Sequence, residues 1–182
     1  MSNILIVSGH TDISQSRANK LIIANLKKSF PNAEFNSLIE LYPNYQFNLE
    51  VEQEKLKKAD LIILQFPLFW FSCPSIMRKW FEDVLLHGFA YGTQGKALEN
   101  KKVIVSFTTG APRDAYQYGQ YENFYISDFL PQFIQLTNLC NMQWAGHVIS
   151  FGYGYGATDE EAKKIAEQHS QDLINKIKTT LQ

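Results

Sequence analysis

The run Asp60-Leu61-Ile62-Ile63-Leu64-Gln65-Phe66 constrains the fold more than any other feature of this chain. It is too short for a helix, rich in branched residues and apolar on both faces. A strand of that kind is buried on both sides, the signature of a parallel sheet covered by helices. The pattern recurs. Ile4-Leu5-Ile6-Val7 reads as a first strand ending at Ser8-Gly9-His10, Glu34 to Ile39 as a second, Lys102 to Phe107 as a fourth and Gln143 to Phe151 as a fifth. Amphipathic stretches lie between them. From about Arg17 to Phe30, Ile22, Ile23, Leu26 and Phe30 share one helical face, and Glu50 to Lys58 is charged and helical. After Pro74, which the spacing places in a first helical turn, Ile76, Met77, Trp80, Phe81, Val84 and Leu85 make a wide apolar stripe. Asp128 to Asn138 reads as a helix. Thr158-x-x-Glu161 is a capping box opening the last one, with Ala162, Ile165, Ala166, Leu173 and Ile177 inward.

Parallel neighbours need crossovers, and crossovers are helices. The expected fold is therefore α/β, a three-layer sandwich around a five-stranded parallel sheet of order 2-1-3-4-5, with residues 1–182 forming one domain. A chain of 182 residues suits one core. The formal charge of −1 argues against a nucleic-acid partner, and no apolar run reaches the roughly 20 residues of a membrane span. The start lacks a basic segment ahead of an apolar one, so no secretory signal is expected, and a cytoplasmic location follows. Cys73 and Cys140 match no metal spacing and read as buried thiols.

In such sheets ligands sit at the carboxyl ends of the strands. Three loops occupy those positions, and they hold the unusual residues. The first, Gly9 to Asn19, carries hydroxyls, amides, His10 and Arg17, and fits neither G-x-G-x-x-G nor the P-loop pattern. Ser16, with Arg17 or His10, suits a compact phosphate monoester at a helix start. Ser14 or Ser16 acting only as a helix cap is equally open from this loop alone. The second, Phe66-Pro67-Leu68-Phe69-Trp70-Phe71-Ser72-Cys73-Pro74, puts four rings in six positions on a backbone restricted by two prolines, a wall for a flat heteroaromatic ring, with a core edge or a dimer contact as the plainer reading. The third, Thr108-Thr109-Gly110-Ala111-Pro112 followed by Tyr116, Tyr118, Gly119 and Tyr121, permits close backbone approach and supplies phenols, or is simply a surface turn. Together the three favour flavin mononucleotide.

Phe66-Pro67-Leu68-Phe69-Trp70-Phe71-x-x-Pro74, then Lys79-Trp80-Phe81-x-x-Val84, Gly88-Phe89-Ala90-Tyr91-Gly92 and Thr108-Thr109-Gly110, resemble the NAD(P)H dehydrogenase (quinone) family, which is flavodoxin-like. Ser16-Arg17-Ala18-Asn19-Lys20 is similar to the phosphate loop of its small bacterial members, including the Kef-type potassium-efflux ancillary oxidoreductases. The resemblance implies FMN held at a homodimer interface, a nicotinamide as hydride donor and a quinone as two-electron acceptor. It implies phosphate contacts from Ser16, Arg17, Ala18 and Asn19, with His10 nearby. Pro67, Leu68, Phe69, Trp70 and Phe71 would flank the ring, and Thr108, Thr109, Gly110 and Ala111 would meet its pyrimidine side. Gly88 to Gly92 would belong to the dimer contact. Tyr116 falls where the family supplies a phenol. The His found shortly beyond it in the animal enzymes is missing, leaving Tyr121 as the expected substitute donor. The chain stops soon after its fifth strand and helix, which favours FMN over FAD. Two other readings share the fold: a flavodoxin-type electron carrier, usually strongly acidic as this chain is not, and a flavin-bearing ancillary subunit of a membrane transporter.

Overall fold

The structure is a computed structural model and describes residues 2–154 and 156–182. Five parallel strands, β1 (Ile4–Ser8), β2 (Glu34–Ser37), β3 (Leu61–Pro67), β4 (Lys102–Thr108) and β5 (Gln143–Ser150), lie in the order β2-β1-β3-β4-β5. Side chains alternate across each strand. Leu5, Val7, Ile62, Leu64, Phe66, Val103, Val105 and Phe107 enter one core. They pack under α2 (Leu38–Leu41), α3 (Leu49–Lys58), α4 (Ser75–Val84) and α5 (Pro131–Leu139). Ile6, Leu61, Ile63 and Ile104 enter the other, covered by α1 (Asn19–Ser29) and α6 (Asp159–Leu181). Strand order reverses between β1 and β3, so the loops following these two strands diverge and leave a crevice.

Three expectations are corrected. The second strand stops at Ser37, and Leu38–Leu41 turns helical to bury Leu38 under α4 instead of extending an edge. Pro74 is extended at the N-cap of α4 (ψ 157°), one step before the first turn. The Asp128–Asn138 stretch is split into a 3₁₀ turn at Ile126–Phe129 and α5, which begins at Pro131. Its proline donates no N–H and opens a new helix. A β-bulge interrupts β5: Val103 pairs with Trp144 but Ile104 with Gly146, whose φ of 106° suits glycine. The extra residue sets Ser150 opposite Thr108, where Ile149 would otherwise stand.

Candidate functional site

A cleft of about 310 Å³ opens at the carboxyl ends of β1, β3 and β4. It gathers His10, Ser16, Arg17, Ala18 and Asn19 from the first loop, Pro67, Leu68 and Phe69 from the second, and Thr108, Thr109 and Gly110 from the third. Gln15 and Tyr153 complete it, and neither was among the residues expected from sequence. A larger cleft, about 410 Å³, lies between α1 and β2 and touches neither the aromatic loop nor the Thr-Thr-Gly loop.

The first loop is built around local bonds. His10 Nδ1 accepts the Asp12 N–H at 3.0 Å, so the neutral ring carries its proton on Nε2. Burial holds its pKa below the ordinary imidazole range, with the Asp12 charge opposing. Ser16 Oγ accepts the Asn19 N–H at 2.8 Å, so the capping role is real and the Ser16 proton stays free to donate. The N–H groups of Arg17 and Ala18 have no acceptor among the described residues. Asn19 lines the cleft. Its buried amide accepts from Gln65 Nε2 at 2.8 Å and donates to Thr108 Oγ1 at 3.1 Å, tying α1 to β3 and β4. Arg17 lines it too. Its guanidinium reaches Ala157 O at 2.6 Å, the Asp159 carboxylate at 3.0 Å and Gly154 O at 3.4 Å, so its charged end is engaged with the segment leading into α6.

In the second loop Phe69 and Ser72 bridge a tight turn whose central residues, Trp70 (φ 50°) and Phe71 (φ 63°), are both left-handed. Such turns normally take Asn or Gly. Bulky residues there cost on the order of 1 kcal/mol or more each, strain that clusters at functional sites. The turn throws the Trp70 ring outward, 94% exposed, while Phe71 stacks on Phe129 at 5.5 Å. Phe66, by contrast, is fully buried against Phe107 and Phe133.

In the third loop Thr109 Oγ1 donates to Ala111 O at 3.0 Å. The N–H groups of Gly110 and Ala111 have no acceptor among the described residues. Gly110 lies against Gly154, whose N–H donates to its carbonyl at 2.9 Å. Tyr116 is buried against Phe129 and Phe151, just behind the cleft. Burial pushes its phenol up, and the Thr109 hydroxyl partly offsets this. Tyr121 is 91% exposed and does not line the cleft, so this chain alone does not bring the expected second donor to it. Cys73 and Cys140 are buried, free thiols, and burial pushes Cys140 up to about 11, which leaves it inert.

The cleft thus offers unpaired N–H donors from two loops and the Phe69 ring from a third, while the expected Trp70, Phe71 and Ala111 lie outside its lining; this donor set suits a flavin mononucleotide's phosphate, pyrimidine edge and ring. Comparison with known proteins agrees. Residues 2–176 match the family described as having a flavodoxin-like fold. The glutathione-regulated potassium-efflux system ancillary protein KefF of Enterobacter sp. (strain 638) is 37% identical over 173 residues, covering 94% of this chain and 96% of that protein. General stress protein 14 of Treponema denticola, solved in complex with FMN, superposes with a TM-score of 0.86 at 26% identity, over 95% of this chain and 96% of that one. An NADPH-quinone reductase from P. pentosaceus superposes with a TM-score of 0.77 at 29% identity, over 94% and 97%. The chain therefore belongs to the flavodoxin-like family that includes the potassium-efflux ancillary proteins, the NAD(P)H dehydrogenase (quinone) family whose motifs its sequence carries.

Proposed function

We propose that this protein is an FMN-dependent NAD(P)H oxidoreductase that delivers an electron pair to a quinone or similar aromatic acceptor. The observation that carries this reading is the convergence on one cleft of free N–H donors at Arg17, Ala18 and Gly110 with the exposed ring of Phe69, while Ala111 and Trp70, next to them in sequence, lie outside its lining. One structural relative solved as an FMN complex and another named an NADPH-quinone reductase support it. When bound, FMN accepts hydride from a nicotinamide and passes two electrons onward. The protein's share is binding and electrostatics. The Arg17 and Ala18 amides, the Ser16 hydroxyl and His10 Nε2–H meet the phosphate. The Gly110 and Ala111 amides meet negative charge developing at the pyrimidine side, and the protonated Tyr116 phenol stands behind them. Phe69 and Trp70 hold the ring by stacking.

The same reading assigns a homodimer. Phe69, Trp70 and Phe71 after β3, and Tyr118, Tyr121, Phe124 and Tyr125 after β4, are all exposed, an aromatic surface that a second copy would cover. A second function is favoured by the KefF relative, matched over nearly its whole length: an ancillary subunit bound peripherally to a potassium-efflux transporter. Among the described residues no helix is long and apolar enough to cross a membrane, so any such association would be through a surface.

Purified protein is expected to be yellow, to release FMN on denaturation by mass spectrometry, and to consume NADH or NADPH with a quinone present. A colourless protein that FMN cannot reconstitute overturns the reading. Turnover without quinone reduction, together with co-purification of a transporter, moves it to the ancillary role.

A further inference from the structure

A buried hydrogen-bond chain ends at the cleft. His169, on α6, is 1% exposed. Its Nε2 meets Ser106 Oγ of β4 at 2.7 Å, and its Nδ1 meets Ser150 Oγ at the end of β5 at 2.8 Å. Ser150 Oγ donates to the Tyr153 hydroxyl oxygen at 3.2 Å. The β5 bulge is what brings Ser150 onto this face of the sheet.

Proton accounting gives the chain a direction. A neutral imidazole donates through one nitrogen and accepts through the other, and a hydroxyl has one proton. Ser150 spends its proton on Tyr153, so it accepts from His169 Nδ1–H, and His169 Nε2 accepts from Ser106. Every buried proton then has an acceptor. The Tyr153 proton is the exception. It must point elsewhere, and Tyr153 lines the cleft with Ser16, Ala18 and Thr109. The backbone of Tyr153 and Gly154 donates to Thr109 and Gly110 of the third loop, and Arg17 of the first loop reaches Gly154 O, so this segment stands where the two loops meet. The Arg17 guanidinium is engaged with Ala157 and Asp159, so a phosphate there would be met largely by neutral donors.

We propose that Tyr153 is a cofactor-binding residue whose phenol donates to a phosphate oxygen of FMN, with Ser150, His169 and Ser106 as positioning residues that turn its proton toward the cleft. The inference rests on the FMN reading above. Burial supports it by holding the Tyr153 phenol up at about 12 and His169 down to about 4, so both stay neutral and the chain keeps its direction across the working pH range.

The test titrates apo-protein with FMN and with riboflavin, which lacks the phosphate, following flavin fluorescence. Tyr153→Phe is expected to raise the FMN Kd roughly tenfold, the scale of one hydrogen bond to a charged group, and the riboflavin Kd by less than about twofold. The ³¹P resonance of bound FMN should move with it. Ser150→Ala should show a smaller loss of the same kind, and the double variant should be no worse than Tyr153→Phe alone. Equal weakening of both flavins, or unchanged FMN affinity in Tyr153→Phe, overturns the phosphate contact. Additive losses in the double variant overturn the positioning role. Wild-type protein that binds neither flavin sinks the FMN reading and this inference with it, whereas wild type that binds FMN beside an unaffected Tyr153→Phe sinks this inference alone.

Discussion

Phe69 and Ser72 exchange two backbone hydrogen bonds, each 3.0 Å long, and between them Trp70 and Phe71 are held left-handed. The bonds close a two-residue turn whose backbone asks for Asn or Gly. Trp70 is almost wholly exposed and makes no aromatic pair with another described residue, so no ring packing among the described residues repays its conformation. Trp70→Asn is therefore expected to stabilise the apo-protein by up to about 1 kcal/mol in urea unfolding. The same variant should weaken FMN binding about tenfold through loss of the stacking face. A stability loss in the apo form would show that the ring packs within this chain.

Trp80 gives the opposite expectation. It is 1% exposed, and its Nε1 donates to Glu52 at 2.7 Å. The buried Glu52 carboxylate also receives Tyr42 OH at 2.9 Å, Lys55 Nζ at 2.6 Å and the Asn36 amide. Trp80→Ala removes one of four donors and opens a cavity, costing about 3–5 kcal/mol by urea midpoint. FMN affinity of the folded fraction should stay within twofold. A variant that keeps its stability but loses flavin would exchange the roles of the two tryptophans.

The strands were legible because short, branched runs that are apolar on both faces act locally, as Leu61 to Phe66, buried throughout, illustrate. The exposure of Phe69 to Phe71 was legible because these are more rings than one core edge can take. The end of β2 was not. Leu38-Ile39 suits a strand as well as a helical turn, and the choice is made by Leu38 finding a pocket under α4. The cleft positions of Arg17 and Asn19 were legible from their loop, but their bonds to Asp159, Gln65 and Thr108 were not, since those residues are distant in sequence. Tyr153 was missed because its supports come from β4, β5 and α6. A signal existed: His169 falls on the same α6 stripe as Ala162, Ala166 and Leu173, a polar residue where packing alone would place an apolar one.

Tyr116 tests the electrostatic part of the proposed activity. Its phenol is buried, raised in pKa and beside the Thr109 hydroxyl, so it remains a neutral donor near neutral pH. Tyr116→Phe keeps the ring contacts with Phe129 and Phe151 and removes only the hydroxyl. Stopped-flow reduction of bound FMN by NADPH should slow at least about tenfold, with the FMN Kd within twofold. Unchanged rates would remove Tyr116 from the chemistry.

His169 should make stability depend on pH. Burial alone lowers its pKa to about 4, against about 6.5 for an unfolded histidine, because its ring meets two hydroxyls and no carboxylate. Between those values the unfolded chain binds a proton that the folded chain does not, so unfolding becomes more favourable as pH falls. The contribution is fully present above about pH 6.5 and is lost progressively down to about pH 4, to a limit of about 3 kcal/mol. Urea unfolding at several pH values should show this slope in the wild type and a shallower one in His169→Asn, whose side chain does not titrate. The comparison is of slopes, so a uniform destabilisation by the substitution leaves it intact. Other groups, including His10 and His147, whose pKa values burial also lowers, remain in both proteins and cancel. Identical slopes would mean that the His169 ring is protonated in the folded state and that the hydrogen-bond chain to Tyr153 does not run in one direction.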